Sequence, residues 1–359
     1  MEMSVSVIIV TLNRPDYVCR CLECLVAQVP PPEQIIVVDA SADDQTRRVA
    51  EDFSPVLYLR NDNGFGRMTA SRNIGLKAAI GSIIAFLDDD AFAHPGWLAG
   101  LRAAYTDDTV GAVGGRALNN QPNEAQTGVS EIGSLRATGE LVGNFAAEPG
   151  EVIEVDHIMG CNMSFRRDVV ARLGGFREDY PGISGVREDS DMCMRVKRLG
   201  CRILFSPLAC VDHVSAPQAI GARFDNRYAY YLQRNHLCLL VRNFGPGSRI
   251  VWRYLGFSIS NPLAEFFRRI AAAVVRLGIV GLATTVGTVA GLALVLKTGR
   301  DPERHDAEGQ KIRAALNGTT PDSITQDDTT RSKTGASSHT PLVAPDAGAP
   351  KSAIRGIQP

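Results

Sequence analysis

The chain has 359 residues, enough for one large domain or two moderate ones with appendages. Its 38 Lys and Arg against 39 Asp and Glu leave a formal net charge of −1, so there is no basic surplus to neutralise a nucleic-acid backbone, and small-molecule partners fit better. The eight cysteines end at Cys238 and sit in apolar or helical patterns; they read as reduced, buried thiols, and the C-x-x-C pair Cys21 and Cys24 has no second pair at zinc-ribbon spacing.

The N-terminus lacks a cationic start and a cleavable small-residue site, so Val5–Val10 reads as a first strand made and kept in the cytoplasm. Thr11 to Asp16 form a turn that opens a helix through about Ala27. A second buried strand, Ile35–Val38, ends on Asp39. Thr46–Asp52 is helical in composition, Val56–Leu59 is a third strand, and the loop through Gly64-Phe65-Gly66 leads to a helix near Thr69–Ala79. That loop is no dinucleotide fingerprint, since the third glycine is missing and no strand directly precedes it. Ile83–Leu87 is a further apolar run that passes directly into Asp88-Asp89-Asp90. Three adjacent carboxylates at a packed strand end repel one another unless a cation compensates them, and a hard divalent metal is the natural candidate. Strands alternating with helices at this spacing predict an α/β fold with a mainly parallel central sheet, whose ligands lie at the carboxyl ends of the strands.

Beyond Asp90, His94 to Trp97 form a turn into the helix Leu98–Tyr105, and Val110–Val113 is a strand. Residues 116–150 are polar and Gly-rich, which predicts loops and short strands around a substrate surface. Val152–Ile158 alternates as a half-exposed strand does. Gly160 to Phe165 lead into the helix Arg167–Leu173, stopped by Gly174-Gly175. Glu188 opens a helix with acids in its first turn and bases in its last, capped by Gly200. Arg202–Phe205 and Ala209–Val211 are short strands, followed by Asp212-His213. From Tyr228 helices rich in aromatic and basic residues begin. Leu277–Leu296 is a 20-residue stretch with no charge, long enough for a bilayer core of ~30 Å. Within it Gly287 and Gly291 form a small-x-x-x-small pair; a span, a helix lying in the membrane interface and a helix packed on the domain all fit. From about Asp301 the composition predicts disorder.

Five segments together resemble family 2 glycosyltransferases, inverting nucleotide-sugar-dependent enzymes of the GT-A fold, over about Ser4 to His213. They are Val-Ser-Val-Ile-Ile-Val-Thr-Leu-Asn-Arg near the start with Ile-Ile-Val-Val-Asp at 35–39, Ala-Ser-Arg-Asn-Ile-Gly-Leu at 70–76, Phe-Leu-Asp-Asp-Asp at 86–90, Gly-Cys-Asn-Met-Ser-Phe-Arg-Arg at 160–167, and Arg-Glu-Asp-Ser-Asp-Met-Cys-Met-Arg at 187–195. The resemblance implies a metal site at Asp88 and Asp90, with Asp90 the direct ligand and Asp88 a ligand or ribose contact, joined by His213, whose imidazole shifts preference from Mg²⁺ towards Mn²⁺. It implies Asp189 as general base with Glu188 the alternative, and a nucleotide-sugar pocket formed by Thr11, Asn13, Arg14, Asp39, Arg72, Asp88 and Asp89. Asn162 would face the acceptor. Where the family often has Gly before Glu-Asp, this chain has Arg187.

The expected organisation is a nucleotide-sugar-binding half at 1–115, an acceptor and catalytic-base half at 116–215, C-terminal helices associated with a membrane at 216–300, and a disordered tail at 301–359. The implied function is metal-dependent transfer of a hexosyl or deoxyhexosyl group from a nucleoside-diphosphate sugar to a glycan or lipid-linked acceptor, at the cytoplasmic side of the cell membrane. A nucleotidyltransferase also pairs an α/β sheet with carboxylate-bound metal, but no Gly-rich, Lys-bearing phosphate loop follows the first strand. A non-catalytic glycan-binding protein of the same fold is the third reading, and the intact acids argue against it.

Overall fold

The apolar runs near the N-terminus lack polar alternation because both faces of the sheet they build are covered. The computed structural model describes residues 3–318 apart from 64–67, 120–125, 130, 181–185, 217–225, 259–281, 283 and 294–306. β1 (Val5–Thr11), β2 (Gln34–Asp39), β3 (Val56–Arg60) and β4 (Ile83–Asp88) are joined through α1 (Pro15–Val26), α2 (Gln45–Glu51) and α3 (Met68–Ala78). Val7, Ile9, Val37 and Leu87 pack into one apolar layer with Leu22 and Leu25 of α1. Ile8, Val38, Ile84 and Phe86 pack into the opposite layer with Leu76 of α3. A one-residue slip would exchange the layers, so register is strongly specified. Each fully buried aliphatic side chain contributes about 1.5–3 kcal/mol.

The later elements are β5 (Ala91–Ala93), α4 (Trp97–Ala104), β6 (Val110–Leu118), β7 (Ser134–Leu135), β8 (Leu141–Val142), β9 (Ile153–Glu154), β10 (Asn162–Arg166), α5 (Arg167–Leu173), α6 (Glu188–Arg198) and β11 (Arg202–His213). The main sheet has the order β3-β2-β1-β4-β10-β6-β11-β5, with β9 paired to β11; β7 and β8 form a separate pair. β1, β2, β3, β4, β6 and β11 run in one direction, and β5, β9 and β10 in the other. The mainly parallel α/β sheet expected from the sequence is present. Strand order reverses between β1 and β4, which opens a crevice at their carboxyl ends.

Four local expectations change. β10 carries no strand signal in the sequence, because Asn162-Met163-Ser164 is short and half polar; it lies buried between β4 and β6. β6 continues to Leu118 and so passes through the boundary expected at 115, since a continuous sheet joins the two halves. The two strands expected at 202–205 and 209–211 are one, with its pairing to β6 slipping between Ser206 and Val211, where Pro207 offers no N–H. Of Val152–Ile158 only Ile153–Glu154 is strand. The stop after α5 is as expected, with Gly174 at φ +71°.

α7 (Asn226–Phe244), α8 (residues 249–258) and α9 (residues 284–293) follow. Gly287 and Gly291 let α9 approach α7 closely: a Cβ at Gly287 would lie 2.5 Å from the Tyr230 carbonyl oxygen, and one at Gly291 2.8 Å from that of Arg234. The small-residue pair therefore serves packing within this domain. No helix among the described residues is long and apolar enough to cross a membrane; residues 277–281, 283 and 294–296 of the uncharged stretch lie outside the described residues. The tail expected from 301 is corrected too, because α10 (Ala307–Leu316) docks on α3 and α5. Its apolar residues Ile312 and Leu316 are buried, Lys77 Nζ meets Glu308 at 2.6 Å, and Arg167 Nε donates to the Leu316 carbonyl. Two apolar positions and a few ionic contacts are too weak a pattern to read in a polar sequence. Residues 319–359 lie outside the described residues.

Ile312→Ala is expected to destabilise the protein by about 2–5 kcal/mol, as truncation of a buried side chain does. Urea unfolding measures this; a disordered tail would give no change.

Candidate active site

Asp88, Asp89 and Asp90 leave the end of β4 in three different environments. Asp88 is half-buried, and its Oδ1 lies 3.4 Å from Arg72 Nη2. Asp89 turns inwards, accepting from Thr11 Oγ1 at 2.7 Å and from Arg14 Nη1 at 2.9 Å. Burial pushes its carboxyl up to about 7 against the pull of Arg14. Asp90 is buried as well, accepts the Ala216 N–H at 2.8 Å, and faces His213 Nε2 at 3.4 Å. Burial alone would raise Asp90, but the imidazole in its protonated form, the Ala216 N–H and Arg14 hold its carboxyl below the usual range.

The pairing of β11 with β5 brings His213 to Ala91, beside these acids. One ligand atom from each of Asp88, Asp90 and His213 lies within 4.8 Å of the others. His213 Nε2 is buried and has no hydrogen-bond partner among the described residues. An unsatisfied imidazole nitrogen facing two carboxylates is a donor set that fits a divalent cation, with oxygen ligands for Mg²⁺ or Mn²⁺ and a nitrogen that favours the latter.

The neighbouring wall is built from the ends of β1 and β2. Thr11 pairs with Asp39 in the parallel register. Asp39 is fully buried and accepts from the Ser41 N–H, the Ser41 hydroxyl and Tyr58 Oη. Ser41 Oγ in turn accepts the N–H of Asn13, which sits at φ +55°. Asn13 and Asp39 are thus brought together, while Thr11 and Asp89 brace that wall from behind and Arg14 remains partly exposed beside them.

Across the crevice, α6 begins at Glu188. Asp189 is half-buried; its Oδ2 accepts the Gly160 N–H at 3.0 Å and its Oδ1 the Ser190 N–H at 2.6 Å. Glu188 points into the protein and meets Arg72 Nη1 at 2.6 Å. Burial and then the charge of Asp189 push its carboxyl up to about 8, against Arg72. Arg72 itself is 1% exposed, bridges Glu188, Asp88 and the Gly160 carbonyl, and rests over the Phe176 ring. Expected as a diphosphate contact, Arg72 has its guanidinium enclosed in this structure, with both terminal nitrogens on protein partners and Nε without one among the described residues. Arg187, the N-cap, has φ +79°. A glycine takes that left-handed conformation freely, whereas a non-glycine residue there costs about 1–3 kcal/mol. This is the physical reason glycine suits the position.

Asn162, expected to face the acceptor, is completely buried; Nδ2 donates to the Arg116 and Ala209 carbonyls and Oδ1 accepts from Trp97 Nε1 at 3.0 Å. So engaged, it ties β10 to β6, β11 and α4. A cavity of about 340 Å³ lies instead beside Asn119, Gln126, Asn144, Phe145 and Met159. Asn119 and the Gly160 N–H have no sequence signal: one stands in an irregular polar stretch, the other acts through its backbone. Only the end of β6 beside the end of β11, with Leu118 opposite Asp212, places Asn119 near His213.

The family model described as Glycosyl transferase family 2 matches residues 6–174. Over 224 residues the chain is 29% identical to a glucosyl-dolichyl phosphate glucuronosyltransferase of Haloferax volcanii, an alignment covering 59% of this chain and 69% of that protein. It is 33% identical over 125 residues to glycosyltransferase AglE of the same organism, covering 33% of this chain and only 41% of that relative. Among solved structures, a mannosyltransferase, PcManGT from Pyrobaculum calidifontis in complex with GDP-Man and Mn²⁺, aligns with a TM-score of 0.52 at 21% identity, covering 89% of this chain and 86% of that one. That likeness is one of fold and identifies the architecture as GT-A.

Breaking the buried bridge from one side leaves the Glu188 carboxyl buried without its partner, so Arg72→Met is expected to cost about 1–3 kcal/mol. Adding Glu188→Met should recover part of that loss, and a double-mutant cycle by chemical unfolding measures the coupling.

Proposed function

Because this chain belongs to glycosyl transferase family 2, we propose that it transfers a sugar from a nucleoside-diphosphate sugar to a hydroxyl of a glycan or lipid-linked acceptor, with inversion at the anomeric carbon and with a divalent cation, Mn²⁺ before Mg²⁺. The observation that carries this reading is the gathering of Asp88, Asp90 and His213 at the strand ends, linked through Arg72 and Gly160 to a half-buried Asp189 at the start of α6.

Asp39 and Asn13 line the place for the nucleoside. Asp189 is the general base. Two backbone N–H groups hold its carboxylate in place, and half-burial leaves it accessible to an acceptor hydroxyl. As the hydroxyl oxygen bonds to the anomeric carbon and the bond to the diphosphate oxygen breaks, the hydroxyl proton passes to Asp189. Asp88, Asp90 and His213 would hold a divalent cation, which would supply counter-charge to the departing diphosphate. Glu188 takes no part in proton transfer; it is turned away and anchors Arg72, which separates Asp88 from the base. The cavity beside Asn119 and Met159 suits the acceptor, with an apolar floor at Val129 and Phe145 and amides at its rim.

The name of the Haloferax volcanii relative contains a dolichyl phosphate sugar, which supports a lipid-linked acceptor and a place at a membrane surface. The outward side of α9 supports the same reading. While its glycines face α7, Val286 and Val289 are 49% and 63% exposed, and Trp252 of α8 is 63% exposed. Such residues suit a helix lying on a lipid surface.

Asp189→Asn is expected to lower turnover by about 10²–10⁴-fold while Mn²⁺-dependent binding of the nucleotide sugar stays near wild type. Chelation of the metal with EDTA should abolish turnover and Mn²⁺ should restore it. Unaltered turnover in Asp189→Asn would remove that residue from the mechanism, and release of pyrophosphate in place of a nucleoside diphosphate would indicate nucleotidyl transfer. For the membrane, the pair Val286→Glu and Val289→Glu should reduce sedimentation with anionic phospholipid vesicles by at least about tenfold; equal sedimentation would argue for no lipid contact at this face.

A further inference from the structure

The end of β6 takes no part in the chemistry described above, yet the side chain just beyond it, Asn119, meets the imidazole of His213. His213 Nδ1 and Asn119 Oδ1 are 3.0 Å apart. The amide orientation follows from its other end, where Asn119 Nδ2 lies 3.2 Å from the Ala117 carbonyl oxygen. A carbonyl oxygen can only accept, so the nitrogen of the amide must face it and the oxygen must face His213. An amide oxygen likewise only accepts, so Nδ1 must carry the ring proton. In the neutral ring Nε2 is then left with its lone pair.

That lone pair is held in a demanding place. Among the described residues Nε2 is buried, makes no hydrogen bond and faces Asp90 Oδ1 across 3.4 Å, with a ligand oxygen of Asp88 in the same cluster. Two acceptors facing each other in a buried site repel unless positive charge stands between them. We propose that Asn119 is a positioning residue that holds His213 in its Nδ1–H tautomer and thereby sets the affinity of the Asp88–Asp90–His213 site for a divalent cation. This inference rests on the metal-site reading above and deepens it. Partners of this kind on the far nitrogen of a ligating histidine fix ring orientation, and losing one lowers metal affinity about 10–100-fold. Asn119 also lines the acceptor-side cavity, so an occupant of that cavity covers the same hydrogen bond from water.

The test uses the full chain and Mn²⁺ alone, with free Mn²⁺ followed by electron paramagnetic resonance, and long-range ¹H–¹⁵N spectra of histidine-labelled, metal-free protein at about pH 8, above the ordinary imidazole range. The wild-type spectrum should place the His213 proton on Nδ1. Asn119→Leu, close in shape but without an acceptor, should weaken Mn²⁺ binding about 10–100-fold and release the tautomer. Asn119→Asp keeps an acceptor and should retain both. Wild-type Mn²⁺ affinity in Asn119→Leu, alongside lost affinity in His213→Ala, would overturn the role of Asn119 and leave the metal site standing. Wild-type affinity in His213→Ala would overturn the metal reading and this inference with it. A wild-type spectrum with the proton on Nε2 overturns the inference without any variant, even where Asn119→Leu fails to fold.

Discussion

Three consecutive carboxylates must share one strand end, and the way their mutual repulsion is resolved organises the rest of the structure. Asp89 is withdrawn into the protein, where Thr11 and Arg14 receive it. Asp88 is met by the guanidinium of Arg72, and Asp90 by a backbone N–H, with the His213 ring standing 3.4 Å away. Separating the acids in this way uses β1, α3 and β11, three parts of the chain far apart in sequence. It leaves two carboxylates and one imidazole directed at a common point, where a cation completes the charge balance.

Arg72 is the second consequence of that arrangement. A fully buried guanidinium is tolerated only with partners, and it has Glu188 and Asp88 on opposite sides, with the Phe176 ring below. Phe176 is itself fixed edge-on against Phe86 and Phe165, at centroid distances of 5.2 and 6.2 Å, so the cation rests on the apolar core. Through Gly160 the same contact reaches the loop that holds Asp189. The base and the metal ligands are therefore positioned by one continuous set of contacts, and the strain at Arg187 is sustained at the point where α6 must start for Asp189 to face the crevice.

Much of the sheet was legible because burial on both faces removes polar alternation: β1, β2 and β4 are plain in the chain for that reason. Asp39 and the Asp88–Asp90 run stood out as acids at the ends of such runs. β10 was not legible, being five residues with three polar ones that only its neighbours satisfy. Asn162 shows the same limit, since an Asn in a family motif reads as a contact for substrate until Trp97, Arg116 and Ala209 are seen to surround it. Arg72 and Glu188 looked like groups that meet a ligand because charge is visible in sequence and enclosure is not. The pair Gly287 and Gly291 signalled close helix approach correctly, but not against which helix.

Local pattern and residue chemistry by themselves determined the α/β class, the strand ends that carry acids, and the family, because these depend on periodicity and on short runs that neighbours in sequence supply. Which acids face a shared space, which arginine is enclosed, which nitrogen of His213 is left open and whether α10 docks were decided only by tertiary structure. Those properties belong to groups brought together across β1, β4, β6, β11 and α6, and burial and partnership do not exist until those elements have packed.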